Sequence, residues 1–554
     1  MLPSHAMPRH PPRRRSALIL GLALACRVAL ILGLALACRV AQAQTGGVAS
    51  LVRPALEQDE LARVDALLDS TAKPYSTLRS PSRQLDWPKA FASLRVVLPE
   101  VTVGNNSALP YGFNDGALWQ GRGTNVQTIV GLAVAVGPVR VIFAPEFLSS
   151  GNLAYQTIPY AQNGPGNRSP WANPFHPAPN GIDLPSRFGD QALSSVDRGQ
   201  SSITLRLPRV ELGVSTENVW WGPGIQNALV WSSQAAGVPS AFVRMREPIQ
   251  TRAGTFDAWY NVGTLHESNF FDNNPQNRTN SMAAIAVDWR PPHTTGLEFG
   301  IARMVIADRG VTLGTLGDAF RSVGQPNSAD SLSPGTHDQI TSLWTRWAPP
   351  GVGFEAWGEW ARFEQPTSLR DLLVDPGHSE GYTIGLQWAR RVGGGSARLW
   401  SEVTYVEPSP SLRTRPEGVT YVSRSVVQGF TELGQPLGAG IGPGASSQWL
   451  GGDWLHSRWR VGAYLARVRW DNTAVYTDLV PQPGQSDVSL IRGLRLAGEI
   501  GGVRALVDWA HSVRLNYLYQ SYYANLAAGT YHGIDIMNDA VTVTVSVPWR
   551  GRAN

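Results

Sequence analysis

Two hydrophobic periods divide this chain. Near the start, Leu61, Val64, Leu67 and Leu68 recur at helical spacing among Glu57, Asp59, Glu60, Arg63 and Asp65, and Pro74 ends the run. From about Leu94 onward the period falls to two. Val541, Val543, Val545 and Val547 alternate with Thr542, Thr544 and Ser546, and Tyr382, Ile384, Leu386 and Trp388 alternate with Thr383, Gly385, Gln387 and Ala389. Val126, Thr128, Val130, Leu132, Val134 and Val136 share one face opposite Gln127, Gly131, Ala133 and Ala135. Ala283, Ile285, Val287 and Trp289 repeat the pattern before the turn-forming Pro291-Pro292. Successive strand side chains point to opposite faces, so these segments predict strands with one apolar face and one small or polar face. A water-soluble sandwich and a membrane barrel share that signature.

The N-terminus separates the two. Arg9, Arg13, Arg14 and Arg15 precede an apolar stretch from Ala17 to Ala41, in which Leu18–Ala29 is repeated letter for letter as Leu30–Ala41. With Ala41-Gln42-Ala43 as a small-residue cleavage site before Gln44, residues 1–43 read as a secretory signal peptide carrying an internal duplication. The alternatives are a retained anchor, for which Arg27 is a costly mid-span charge, and lipidation at Cys26 or Cys38. After Gln44 no stretch approaches the roughly 18–20 apolar residues that a spanning helix needs.

Removing the leader changes the chemistry. Six arginines precede Gln44 with no acidic residue, so the 47 Lys+Arg fall to 41 against 42 Asp+Glu, and the overall balance no longer supports a nucleic-acid footprint. Both cysteines leave too, which excludes disulfides, zinc–thiolate sites and thiol catalysis in the processed chain. The 57 Gly and 20 Trp suit tight turns, small lumen residues and interfacial aromatic girdles. Trp289, Trp344, Trp347, Trp388, Trp400, Trp459, Trp470 and Trp509 cluster toward predicted strand ends. About 460 residues, at ~10 per strand and ~15 per connection, give roughly 18 strands.

The expected fold class is therefore all-β, a transmembrane antiparallel β-barrel of about 18 strands with a short N-terminal helical segment. Residues 44–93 would be that segment, either periplasmic or packed on the barrel surface, and residues 94–554 the outer-membrane barrel. Its closing strand is expected over Ala540–Trp549, with Trp549 as the terminal aromatic.

Candidate chemistry concentrates in two places. Val210, Leu212 and Val214 are expected to face lipid and Glu211, Gly213 and Ser215 the lumen, before Glu217-Asn218-Val219-Trp220-Trp221 closes on Gly222-Pro223-Gly224. Sugars need flat aromatic faces for C–H surfaces and amides or carboxylates for hydroxyls. Glu217, Asn218, Trp220, Trp221 and Asn227 supply those types, as do Asp115, Trp119, Gln120 and Arg122. The competing reading is structural: the tryptophans pack an inward-folded loop and Glu217 pairs with an arginine such as Arg122 or Arg206. No GxSxG, HExxH or P-loop motif occurs, and Gly438–Gly444 reads as a loop because Pro443 spoils a dinucleotide pattern. Glu217, Asp257 and Glu267 are the carboxylates a glycan hydrolase would use, and the lone His266 reads as a structural hydrogen-bonder. No cofactor or metal site is expected.

Longer segments resemble the Wzi-type capsule assembly family of outer-membrane barrels. Val210–Ser268 carries the resemblance best, with Glu217–Gly224 (ENVWWGPG) its most specific piece. Tyr111–Gly123 and Pro145-Glu146 look like that family's first barrel strands, and Gly429–Gly444 and His456–Tyr476 also fit. The resemblance implies a barrel of about 18 strands closed inside by loops. It also implies a lectin-like, non-enzymatic role that holds capsular or exopolysaccharide at the cell surface. The partners would be that polysaccharide, outer-membrane lipids and the polysaccharide export machinery. The alternatives from the residues are a diffusion porin, whose lumen stays water-filled, and an outer-membrane glycan hydrolase.

Overall fold

The computed structural model describes residues 48–546 except 50, 73, 89, 156–181, 272–278, 322–336, 365–367, 410–414, 416, 424, 457, 474–485, 501, 520, 526–529 and 534. The expected signal peptide of residues 1–43 with both cysteines, the expected cleavage site before Gln44, and Trp549 lie outside them.

Among the described residues, eighteen antiparallel strands close into one barrel. They are β1 (Ala92–Asn106), β2 (Gly123–Val136), β3 (Val139–Phe143 and Glu146–Ser150), β4 (Leu193–Asp197 and Ser202–Arg206), β5 (Val210–Ser215) and β6 (Ser240–Met245 and Ile249–Thr251). Then come β7 (Gly254–His266), β8 (Thr279–Arg290), β9 (Leu297–Ala307), β10 (His337–Trp347), β11 (Phe354–Arg362) and β12 (Glu380–Val392). The last six are β13 (Gly395–Tyr405), β14 (Ser446–Leu455), β15 (Trp459–Arg469), β16 (Val488–Ile500), β17 (Val503–Leu515) and β18 (Ile536–Ser546). β18 closes on β1 in the register Ala540↔Asn106 to Ser546↔Glu100. Closure leaves no strand edge, as a solvent without hydrogen-bonding groups demands. The closing strand starts at Ile536, four residues before the expected Ala540.

The period of two does place alternate residues in and out. Ile384, Leu386 and Trp388 are exposed on the outer wall while Thr383, Gln387 and Ala389 are buried inside. Short turns such as 393–394 join strands at one end, and long loops such as 406–445 join them at the other. Trp289, Trp347, Trp388 and Trp459 face outward beside the short turns, and Trp289 stacks with Phe256 and Phe299. Trp344 and Trp400 do not join this girdle; they point inward and are buried, and Trp470 packs against the interior. Each inward ring lies over a glycine of a neighbouring strand, Trp344 on Gly300 and Trp400 on Gly451, so a Cβ there would sit within 2.4 Å of the ring.

The lumen is filled. No described helix is long and apolar enough to cross a membrane. Instead α1 (Glu57–Leu68) lies within the barrel at the short-turn end, followed by α2 (Pro81–Gln84). The helix therefore does not pack on the outer surface of the barrel, one of its two expected placements. The reason is its polar face: Arg63 meets Glu355 of β11 at 2.7 Å, Glu60 meets Arg460 of β15 at 2.8 Å, and Glu57 meets Arg504 of β17 at 2.7 Å. Burial opposes ionisation of Glu60, but Arg460, Arg398 and Arg495 outweigh it and hold the carboxyl well below its ordinary range. Above the helix, loop 216–239 folds inward, and Val219, Trp221, Leu229 and Trp231 share one buried core with the inward-facing Trp259, Met282, Met304 and Trp357.

Candidate functional site

The two candidate clusters part company in the fold. All of Glu217, Asn218, Trp220, Trp221 and Asn227 sit in the inward loop, and none is more than 2 % exposed. Trp220 and Trp221 pair with Arg79 and Leu78 in a two-residue ladder. The Arg79 guanidinium lies 5.2 Å from the Trp220 ring, and Trp221 meets Trp231 edge-on at 5.1 Å. Gly222 then turns the chain at φ +119°, a conformation side chains rarely adopt. Glu217 pairs with neither Arg122 nor Arg206. It accepts from the Ser82 amide at 2.7 Å and the Ser80 hydroxyl at 3.0 Å, with Arg244 Nη1 at 3.6 Å. Asn218 donates to Ala235 O and accepts from Gln200, and the Asn227 amide donates to Glu402, which also receives the Ile225 and Gln226 amides. Arg63 Nη1 donates to Gly224 O at 3.2 Å, tying this loop to α1. The block is a keystone of the plug: Glu217 and Asn218 are used internally, while Trp220 Nε1, Trp221 Nε1 and Asn227 Oδ1 are closed off from open space without a hydrogen-bond partner among the described residues.

The other cluster borders open space. Residues 111–122 form the first long loop, between β1 and β2, rather than the strand expected there, and β2 begins at Gly123. The loop turns inward because Asn106 Nδ2 donates to the Tyr111 and Gln120 carbonyls at 3.0 and 2.9 Å. It bounds a cavity of about 190 Å³ at the long-loop end, also walled by loop 406–445, Trp470 and Tyr517. Aromatic faces dominate: Trp119 packs on Phe188 at 4.8 Å, and Phe113 stacks with Trp470 at 6.3 Å and 8°. Arg514 lies over Trp470 and Tyr517, held by Asp487 at 2.7 and 2.9 Å.

Polar capacity in this wall is left open. Trp119 Nε1 and Gln120 Oε1 are buried atoms with no hydrogen-bond partner among the described residues. Asp115 Oδ1 accepts only Gln120 Nε2, at 3.1 Å, among the side-chain bonds found for it. Part of Asp115 still reaches the cavity, but the protein packed round its carboxyl outweighs that opening, and desolvation pushes it up to about 7. Arg122 is not in the wall; its guanidinium donates to the Ser107 and Ala154 carbonyls and braces the loop. The pattern found the loop through Asp115, Trp119 and Gln120, with Phe113 in the same segment, but nothing local tied Trp470, marked only as a strand-end aromatic, or Tyr517 to the same wall.

A second cavity of about 150 Å³ lies beneath, lined by Arg53, Glu57, Glu60, Arg460, Arg495 and Asp508. Tyr111, Gly112, Phe113, Asp115 and Gln120 form a partition common to both cavities. Elsewhere His266 Nδ1 meets Glu432 Oε1 at 2.9 Å, a structural contact at the foot of a loop. Among the described residues no group of three or more acidic, histidine or cysteine side chains is arranged to hold a metal ion.

Comparison with known proteins follows this geometry. No curated protein matches the chain. Among solved structures it is similar to Wzi of Escherichia coli, an outer membrane protein involved in group 1 capsule assembly and described as a carbohydrate-binding β-barrel. The two share 11% identity over 82% of this chain and 85% of that one, with a TM-score of 0.51. The Pseudomonas aeruginosa proteins OprD (10% identity, 83% of this chain and 95% of that one, TM-score 0.39) and OccK2 with glucuronate (11%, 81% and 95%, 0.37) overlay less well. At these identities the likeness is one of fold. Residues 190–499, more than half of the chain, match the family model of the capsule assembly protein Wzi, and the chain belongs to that family.

Proposed function

We propose that this barrel sits in the outer membrane with its long loops outward and, without enzymatic activity, binds and anchors capsular or exopolysaccharide at the cell surface. The carrying observation is the outer cavity, with aromatic faces beside the unpartnered Trp119 Nε1 and Gln120 Oε1, above a lumen packed by α1 and loop 216–239. Rings cover sugar C–H surfaces, and buried polar atoms without partners gain most from a ligand's hydroxyls. The description of the Escherichia coli relative as a carbohydrate-binding barrel supports the same reading. Residues 1–43 would direct export, lipid would surround the wall, and the export machinery would deliver the chain that the cavity holds.

Within the candidate set, Asp115, Trp119 and Gln120 are the residues proposed to touch sugar. Glu217, Asn218, Trp220, Trp221 and Asn227 would act by shaping the plug, and Arg122 by bracing the loop. In cells, Trp119→Ala with Gln120→Ala should shift surface polysaccharide from the cell-bound to the released fraction at unchanged barrel abundance. Unchanged retention would overturn the assignment. The two adjoining cavities are the observation that favours a diffusion porin, and steady conductance by the wild-type protein would support it.

A further inference from the structure

On the outer wall, part of the loop between β9 and β10 folds back over the barrel. It contains α3 (Thr315–Asp318), and its Ala319 buries Val262 of β7 and Ala283 of β8, both outward-facing. Tyr260 Oη donates to Leu316 O at 2.7 Å, and the Tyr260 ring stacks with Phe320 at 5.4 Å. The same segment covers Arg303, which points outward from β9: its guanidinium donates to Ala319 O at 3.2 Å, Arg321 O at 2.6 Å and Gln339 Oε1 at 2.9 Å.

Height on the wall decides what this segment meets. Strand residues rise about 3.3 Å each and tilt by ~40–45°, so they climb roughly 2.4 Å per residue. Ala283 is six residues above Trp289 of the aromatic girdle, or about 15 Å within an apolar band about 25 Å tall. The segment therefore lies at the level of the leaflet nearer the long loops. There it exposes Val311, Leu313, Leu316 and Phe320, with Leu313 88 % and Phe320 64 % exposed. Turn bonds use part of its backbone, Leu316 N to Leu313 O, Gly317 N to Gly314 O and Phe320 N to Gly317 O. The buried Asp318 pairs with Arg309 at 2.7 Å and Arg321 at 2.9 Å, whose side chains keep 35 % and 41 % of their surface exposed.

We infer that this segment is a lipid-embedded sheath: Val311, Leu313, Leu316 and Phe320 pack among acyl chains and shield Arg303 from them. An outward arginine bare to hydrocarbon would cost about 2–4 kcal/mol near the midplane, and each turn bond within the segment lowers the cost of bringing its backbone there. The exposed side chains continue the apolar wall of β7 to β9, which supplies the occupant: lipid rather than a second protein. This reading does not depend on polysaccharide binding.

The test places an environment-sensitive fluorophore on Leu313→Cys, in full-length protein whose Cys26 and Cys38 are replaced by Ser, folded into dioleoylphosphatidylcholine vesicles. Leu386→Cys on the bare wall and Thr295→Cys in a short turn serve as lipid and water references. The Leu313→Cys label should match the Leu386→Cys label, losing about half or more of its emission when the acyl chains are brominated while resisting aqueous iodide. Quenching by iodide to the extent seen at Thr295→Cys would overturn the inference, as would shielding from both quenchers, which would mean a protein partner. If Leu313→Cys fails to fold, Phe320→Cys is read against the same references.

Discussion

Trp119 and Trp220 are both indoles near acids and amides, and the fold gives them opposite tasks. Trp220 is fully buried under Arg79, so Trp220→Ala opens a core void and should cost about 3–5 kcal/mol, read as a loss of heat-modifiable folded barrel on gels. Trp119→Ala borders a cavity and should leave that folded fraction unchanged. Asp115 adds a pH signature. Its carboxyl is raised by desolvation to about 7, above the unfolded value near 3.9, so the folded loop takes up a proton as pH falls through 7. The stabilisation this brings is complete below about 3.9 and is lost as pH rises through 7. Polysaccharide affinity measured from pH 6 to pH 8 should therefore change most near 7, and Asp115→Asn should flatten the profile. A midpoint that survives in Asp115→Asn would assign the titration elsewhere.

At the scale of elements, alternation made the strands legible because each buries one face only, and Ile384, Leu386 and Trp388 were placed correctly by period alone. The same logic misjudged Trp344 and Trp400. A sequence cannot tell an outward girdle ring from one laid inward over a cross-strand glycine, since both sit in alternating segments. The helix was legible, but its place was not: Arg63 and Glu60 look solvated until Glu355 and Arg460, hundreds of residues away, are brought beside them. The ENVWWGPG block signalled importance without saying that Glu217 is spent on Ser80 and Ser82 and Asn218 on Gln200. Gly385 tests the inward rings. A Cβ there would stand 2.2 Å from Trp357, so Gly385→Val should overpack the wall by about 1–3 kcal/mol and lower the denaturant midpoint of the folded barrel. Arg63→Ala removes a buried partner of Glu355 and the tie to Gly224, and should loosen the plug by about 3–5 kcal/mol. Planar-bilayer recordings should then show current bursts that the wild-type barrel lacks.

For the whole molecule, a closed wall alone would describe a pore. On the proposed function, the packed lumen makes the barrel a support whose working surface is the long-loop end, where the outer cavity offers rings together with unpartnered polar atoms. Equilibrium binding of purified surface polysaccharide to the folded, detergent-held protein puts this to the test. The wild-type barrel is expected to bind saturably, and Trp119→Ala with Gln120→Ala to weaken binding at least about tenfold, or 1.4 kcal/mol. Equal affinity in the two proteins, or no saturable binding by the wild type, would contradict the account.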